Sequence, residues 1–387
     1  MGQKIAYVGN WGFMCPEKRD FGITVCKYDQ VSGELTEIGT CLKGNHVGCI
    51  CINREKGVLY CVDEQMGMPE LGGQIGGGRI FAVKIDPETG MLTELNHQPS
   101  FAPMPTYLSL NEDATALVLA NHSGFGTAAA SERDAFGNYH LKVVRSEVST
   151  VLYPLAEDGS ILPPCDIFKH QPKKTAAGEL QPALHSVVKA PGENLYFVCD
   201  IGTSQIYTFR IEHGQLKVCN CYDAVMGSGP RYGCVHPEKP FYFYNHEKLE
   251  EVTALRYDKE GTLSLIGSVN VMPEGHEQRL KAEGSDLKLH PNGRYLYNIS
   301  RRANVISVME VDQESGQLSL VQAVHFEATD NGCRGARGCA VSEDGKYFFV
   351  CVADDKMVIR YELDQNGRLL EKAARMYMGS PANLTFL

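Results

Sequence analysis

Two stretches decide how this chain folds. HPNGRYLYNISRRANVISVMEVDQESGQL runs from His290 to Leu318, and SEDGKYFFVCVADDKMVIRYELDQNGRLL runs from Ser342 to Leu370. Each holds a tight turn, an apolar run, a short polar patch, a second apolar run, then a D-Q turn closed by glycine and leucine. A further apolar run, SDLKLH at Ser285–His290, stands before the first. The repeating unit is therefore four short apolar runs joined by turns rich in Pro, Asn, Asp and Gly, the residues that tight turns require.

Working outward, the unit recurs. One copy is CICINREKGVLYCVDE (Cys49–Glu64) with RIFAVKIDPETGMLTEL (Arg79–Leu95), and the next is TYLSLNEDATALVLANH (Thr106–His122) with STVLYPLAEDGSIL (Ser149–Leu162). HSVVKAPGENLYFVCD (His185–Asp200) continues into QIYTFRIEHGQLKV (Gln205–Val218). RYGCVHPEKPFYFYNHE (Arg231–Glu247) continues into EVTALRYDKEGTLSLI (Glu251–Ile266). The last copy is split. GSPANLTFL at the C-terminus supplies a first run, and KIAYVGNW with GITVCKYDQVSGELTEI near the N-terminus supplies the second to fourth. Seven units of about 55 residues fill the chain. The runs are apolar on both faces, as in sheets packed between other sheets. The pattern predicts an all-β, seven-bladed β-propeller of four-stranded antiparallel blades. It is one domain over residues 1–387, with the ring closed by the C-terminal strand joining the N-terminal strands.

Two insertions break the rhythm, at residues 65–78 and 124–147. Both follow a second strand, so both belong to one rim; they read as surface loops, with a lid over the mouth as the functional alternative. Their glycines lack the context of a phosphate loop. The segment EGHEQRLKAEG (Glu274–Gly284) is the one short stretch with helical character.

Composition narrows the function. The 387 residues are 43% hydrophobic and 22% charged with net charge −10, which argues against nucleic acid or an anionic membrane as the main partner. No apolar run is long enough for a membrane span, and the N-terminus does not read as a signal peptide. Many of the 14 cysteines fall inside apolar runs, as buried thiols of a reducing, cytoplasmic compartment do. A closed ring needs no partner, so a monomer or weak homo-oligomer is expected.

Blade geometry then selects candidates. The first strand lies nearest the axis and the second returns beside it. First-strand starts and second-strand ends therefore meet at one mouth of the channel. First-strand starts hold His185, Arg231, Asp286 and Arg337. Second-strand ends hold Glu64, His122, Asp200, Glu247, Arg301 and Arg302. Such a ring of acids, bases and arginines suits attack of water on a lactone carbonyl. Arginines would hold an anion and polarise the carbonyl oxygen, and Glu247 or His185 would take a proton. His236 and His290 fall at turns of the opposite face. A divalent metal held by Glu64, Asp200, Glu247 and Asp286 is a lesser alternative, which the interspersed arginines oppose. No GxSxG elbow is present.

The segments PALHSVVKAPGENLYFVCDIG, GSGPRYGCVHPEKPFYFYNHE and SDLKLHPNGRYLYNISRRANVISVMEVDQESGQL together resemble the lactonase family of seven-bladed propellers. That family includes cycloisomerase-type bacterial 6-phosphogluconolactonases and the fungal carboxy-muconate lactonizing enzyme. The resemblance covers nearly the whole chain. It implies His185, Arg231, Glu247 and Arg301 as the catalytic set and Asp286 as the accompanying acid, with no metal or cofactor. It also implies 6-phospho-D-glucono-1,5-lactone as substrate and the pentose phosphate pathway as setting. ISRR stands here where the family's usual segment reads SNR, so either Arg301 or Arg302 is the facing arginine. A lactonizing cycloisomerase of a muconate-like polyacid, or a non-catalytic propeller binding a ligand or protein at its mouth, are the other readings.

Overall fold

The structure is a computed structural model that describes residues 4–12, 21–67, 76–122, 126–275, 283–329 and 335–387. Seven four-stranded antiparallel sheets form the blades. Their first strands are Ile50–Asn53, Pro105–Leu110, Leu184–Lys189, Pro230–Val235, Glu283–Leu289, Ala336–Val341 and Pro381–Phe386, counted here as blades 1 to 7. Each touches the next, and Pro381–Phe386 touches Ile50–Asn53, so the seven make a closed ring. Blade 7 takes its first strand from the C-terminus and its other three, Lys4–Asn10, Gly22–Tyr28 and Leu35–Cys41, from the N-terminal part. Tyr7 pairs with Thr385 and Val8 with Leu384. The Ser380 amide donates to Asn10 Oδ1 at 2.7 Å and its hydroxyl donates to the Trp11 carbonyl at 2.7 Å, which seals the join on the rim.

The core lies between blades rather than in one central mass. Second strands such as Val58–Asp63, Phe241–His246 and Tyr347–Val352 are buried along their whole length. Each packs one face on the preceding blade and one on the following, which explains the unbroken apolar runs. Aromatic pairs bridge the layers: Phe197 meets Tyr242 at 4.8 Å between blades 3 and 4, and Tyr297 stacks on Phe348 at 4.8 Å between blades 5 and 6.

Local readings needed correction. The fourth strand of blade 2 is Asp166–Lys169, not the run ending at Leu162; Leu155 and Ile161 form only an isolated bridge. Pro163 and Pro164 intervene, and proline has no amide to give a ladder. The insertion at 124–147 is not an irregular loop. Gly126–Arg133 and Tyr139–Arg145 pair as a hairpin that stands clear of the blades on the same rim as the candidate site. A smaller hairpin, Lys173–Thr175 with Gly178–Leu180, was unforeseen. In the other insertion Gly67 bridges to Gly76, and residues 68–75 lie outside the described residues, as does most of the expected helix, 276–282. His236 and His290 do hold turns, accepting amide protons from Glu238 and Asn292, although His236 is buried rather than exposed.

Candidate active site

A recurrent irregularity aims the site residues. The pairing of first and second strands slips at the start of the first strand in blades 2 to 6. In blade 3, Leu184 faces Asp200 but Val187 faces Val198, leaving His185 and Ser186 opposite one residue. In blade 4 the same happens to Arg231 and Tyr232, and in blade 6 Arg337 is the extra residue. A bulge turns a side chain away from the strict alternation of a strand. Neighbouring side chains tie down the freed amides: Tyr232 donates to Asn245 Oδ1 at 2.9 Å and Gly233 to Ser186 Oγ at 3.2 Å. Close packing requires glycine beside two of these bulges. A Cβ on Gly284 would lie 2.4 Å from the His246 carbonyl, and one on Gly338 would lie 2.1 Å from that of Ala382.

The result is a linked set of ions at the mouth. Arg231 Nε donates to Glu247 Oε2 at 2.9 Å, and its Nη1 donates to the Ser285 carbonyl of the next blade. Arg301 Nη2 stands 3.7 Å from the same Glu247 oxygen and 2.8 Å from Glu283 Oε2. From blade 6, Arg337 Nη2 is 3.4 Å from both Glu64 oxygens of blade 1, and its guanidinium carbon lies 3.6 Å from the Trp11 ring centroid of blade 7. His185 packs between His122, 5.7 Å away between ring centroids, and Tyr232, at 4.8 Å. The His122 Nδ1 lies 2.9 Å from the Leu184 carbonyl. Every blade contributes to this mouth: Glu64, His122, His185, Arg231 with Glu247, Arg301 with Glu283, Arg337 and Trp11, in ring order.

Not all candidates share that setting. Asp200 is fully buried and spends its oxygens on the amides of Ala183, Gly202 and Thr203 and on the Thr203 hydroxyl, so it organises a turn and is not offered to a ligand. Asp286 is likewise withdrawn. It accepts from the Leu287 and Cys339 amides and from Lys288 Nζ at 2.7 Å, bracing blade 5 against blade 6 below the mouth. The adjacent arginines separate cleanly. Arg301 is 1% exposed and turned inward, whereas the Arg302 side chain is 37% exposed. Arg302 has φ of 66°, a left-handed conformation unusual for a side chain of this size, and this bend lets both arginines reach Glu283. Among the described residues no three His, Cys, Asp or Glu side chains gather as a metal site.

This architecture can be compared with known proteins. The family described as lactonase, 7-bladed beta-propeller, matches residues 7–386. The chain belongs to that family. Within it, 26% identity over 328 residues relates the chain to the 6-phosphogluconolactonase of Bacillus subtilis (strain 168), covering 84% of this chain and 83% of that one. The corresponding protein of Pectobacterium carotovorum is 24% identical over 306 residues, 78% of this chain and 79% of that one. The periplasmic gluconolactonase PpgL of Pseudomonas aeruginosa shares the fold, with a TM-score of 0.83 at 23% identity over 100% and 99% of the two chains.

The electrostatics of this lactonase-family mouth follow from its packing. Burial alone would raise the Glu247 carboxyl, but the Arg231 and Arg301 charges outweigh it and hold it at about 2, below its ordinary 4.5. Burial, followed by the charges of Arg231, His122, Arg337 and Arg301, keeps His185 neutral, well below the usual imidazole range. Arg301 Nη1 and His185 Nδ1 are buried with no hydrogen-bond partner among the described residues. Burial, then the Arg231 charge, lowers the Arg301 guanidinium to about 9 despite Glu247 and Glu283. The sequence reading missed Glu283, Trp11 and Tyr232. Glu283 opens the fifth first strand and directly faces Arg301 in the register, so strand pairing would have found it. Trp11 and Tyr232 carry no charge, and a search for ionisable groups passes over them.

Proposed function

We propose that this protein is a cofactor-independent lactonase that hydrolyses a sugar lactone, 6-phospho-D-glucono-1,5-lactone being the favoured substrate. The observation that carries this reading is the buried pair Arg231 and Arg301, which converge on one oxygen of Glu247. Water attack turns the lactone carbonyl into an oxyanion. Two guanidiniums already fixed by carboxylates need little reorganisation to meet that charge. Glu247 and Glu283 then serve as the anions that orient the arginines. Glu247 is a poor proton acceptor, because its ionised form is so strongly favoured. His185, buried between His122 and Tyr232, then serves as a wall of the mouth rather than as a proton carrier. The names of the family members in Bacillus and Pectobacterium support a phosphorylated substrate. Arg302, 37% exposed and paired with Glu283, supports it as well, by adding a solvent-facing cation of the kind that holds phosphates.

A cytoplasmic setting within sugar-phosphate oxidation fits the unpaired thiols of the described cysteines. Among the described residues no helix is long and apolar enough to cross a membrane. The test is a pH-stat comparison of phosphorylated and plain sugar lactones with and without chelator. Acid release that is fastest on the phosphorylated lactone and indifferent to chelator supports the reading. Opening of the plain lactone alone restricts the substrate class. Turnover of a muconate-like acid, or ligand binding without turnover, replaces the reading.

A further inference from the structure

We infer that Asn245, Asn298 and Ser300 are positioning residues of the reaction: a buried hydrogen-bonded relay that fixes Arg231 and Arg301 relative to one another. This stands on the lactonase reading above and adds to it the groups that set the spacing of the two arginines. Arg231 comes from the first strand of blade 4, and Arg301 from the end of the second strand of blade 5, Tyr295–Arg301. Both side chains are buried, and both approach one oxygen of Glu247. Like charges brought this close repel, and the Arg231 charge adds to burial in lowering the Arg301 guanidinium. The geometry of the pair therefore depends on what joins the two backbones that carry it.

Side chains make that join. Asn245 stands opposite the bulge at Arg231 and Tyr232, because Pro230 faces His246 and Gly233 faces Tyr244. The Tyr232 amide can only donate, so Asn245 presents its oxygen there, at 2.9 Å. Its Nδ2 is left to donate to Asn298 Oδ1 of blade 5 at 3.0 Å, and Asn298 Nδ2 in turn donates to Ser300 Oγ at 3.1 Å. The relay thus runs from the residue after Arg231 to the residue before Arg301. A second tie lies beside it. Arg231 Nη1 donates to the Ser285 carbonyl, and Ser285 Oγ donates to the Ile299 carbonyl at 3.3 Å.

The fold itself does not require amides here. At the corresponding bulge of blade 3, Leu184 faces Asp200 and Val187 faces Val198, so the residue opposite is Cys199. Asn245, Asn298 and Ser300 are fully buried, where a polar side chain is costly unless it is bonded. Blade 5 also leaves room for the relay: a Cβ on Gly284 would lie 3.2 Å from Asn245 Cγ and Nδ2. A buried network whose members are bonded to one another holds the groups around it in one arrangement. In this protein those groups are the two guanidiniums that meet the oxyanion.

Asn298→Ala cuts the relay at its middle without touching the mouth. The expected result for opening of 6-phospho-D-glucono-1,5-lactone is a kcat lower by about 10- to 100-fold, the size of effect that a small misplacement of a catalytic group produces. A double-mutant cycle separates positioning from general loosening. In an Arg231→Ala background the same substitution should cost less than about threefold, because the arginine whose spacing it disturbs is gone. Asn96→Ala is the control. Asn96 also links two blades, through hydrogen bonds of 2.8 and 2.9 Å with the Ile161 backbone, but on the outer strand Leu92–Pro99, and its loss should leave kcat unchanged. Near-wild-type kcat in a folded Asn298→Ala protein, an equal cost in both backgrounds, or an equal loss in Asn96→Ala overturns the inference while leaving the lactonase reading intact. If the wild-type protein opens no lactone, both fall. Should Asn298→Ala fail to fold, Ser300→Ala, which removes only the last link, decides by the same cycle.

Discussion

The Arg337 guanidinium sits over the Trp11 ring, 3.6 Å from its centroid, while its Nη2 lies 3.4 Å from the Glu64 carboxylate. Trp11 is the chain's only tryptophan. A cation stacked on an indole and paired with a carboxylate is restrained from two directions. It also turns the join of the ring into part of the mouth, because Trp11 follows the N-terminal strand that pairs with the C-terminal one.

This contact gives a spectroscopic probe. An anionic ligand drawn to Arg337 competes with Glu64 and changes the surroundings of the indole. Titration with 6-phosphogluconate is expected to change tryptophan emission saturably, and Arg337→Ala is expected to remove most of that change. Emission that ignores the ligand would place binding away from this half of the mouth.

Glu247→Gln keeps the side-chain shape and removes the charge that Arg231 and Arg301 share. The protein is expected to fold and to lose about 10²- to 10³-fold in kcat, because the two arginines lose their common anchor. Circular dichroism with initial rates checks this. A folded variant with unchanged turnover would sink the role given to Glu247.

Glu283 is a positioning residue. It bonds Arg301 Nε at 2.9 Å and Arg302 Nε at 2.7 Å. Glu283→Gln should raise KM and lower kcat together. Arg301→Lys should not restore function in any background, since an ammonium cannot reproduce the forked contacts to Glu283 and Glu247. Full activity of Arg301→Lys contradicts this geometry.

Acid stability offers a test independent of substrate. The Glu247 carboxyl is pushed up by burial but more strongly held down by Arg231 and Arg301, to about 2 from an ordinary 4.5. Folding therefore favours the ionised form. That stabilisation is complete above pH 4.5 and is lost as the pH falls towards 2. The Tm difference between wild type and Glu247→Gln is expected to shrink across that window. A difference that stays constant through it would mean that Glu247 is not held as an anion.

The sequence made the ring legible because each blade repeats one pattern, and repetition survives local noise. His122, Arg231, Glu247, Arg301, Arg337 and Glu64 could be named from strand ends alone. The withdrawal of Asp200 could not, since it depends on three backbone amides curling around a carboxylate in a turn. Asp286 was hidden for a related reason. The bulge at Gly284 shifts the strand and sends that carboxylate towards the Cys339 amide of the next blade. The choice between Arg301 and Arg302 depended on one left-handed φ, which no pattern of residue types discloses.

The most direct measurement is kcat/KM for ring opening of 6-phospho-D-glucono-1,5-lactone by the wild type and by Arg231→Ala, followed by base uptake at constant pH. The account predicts catalysed opening by the wild type and a loss of at least about 10²-fold in the folded variant. Equal rates for the two proteins would contradict it.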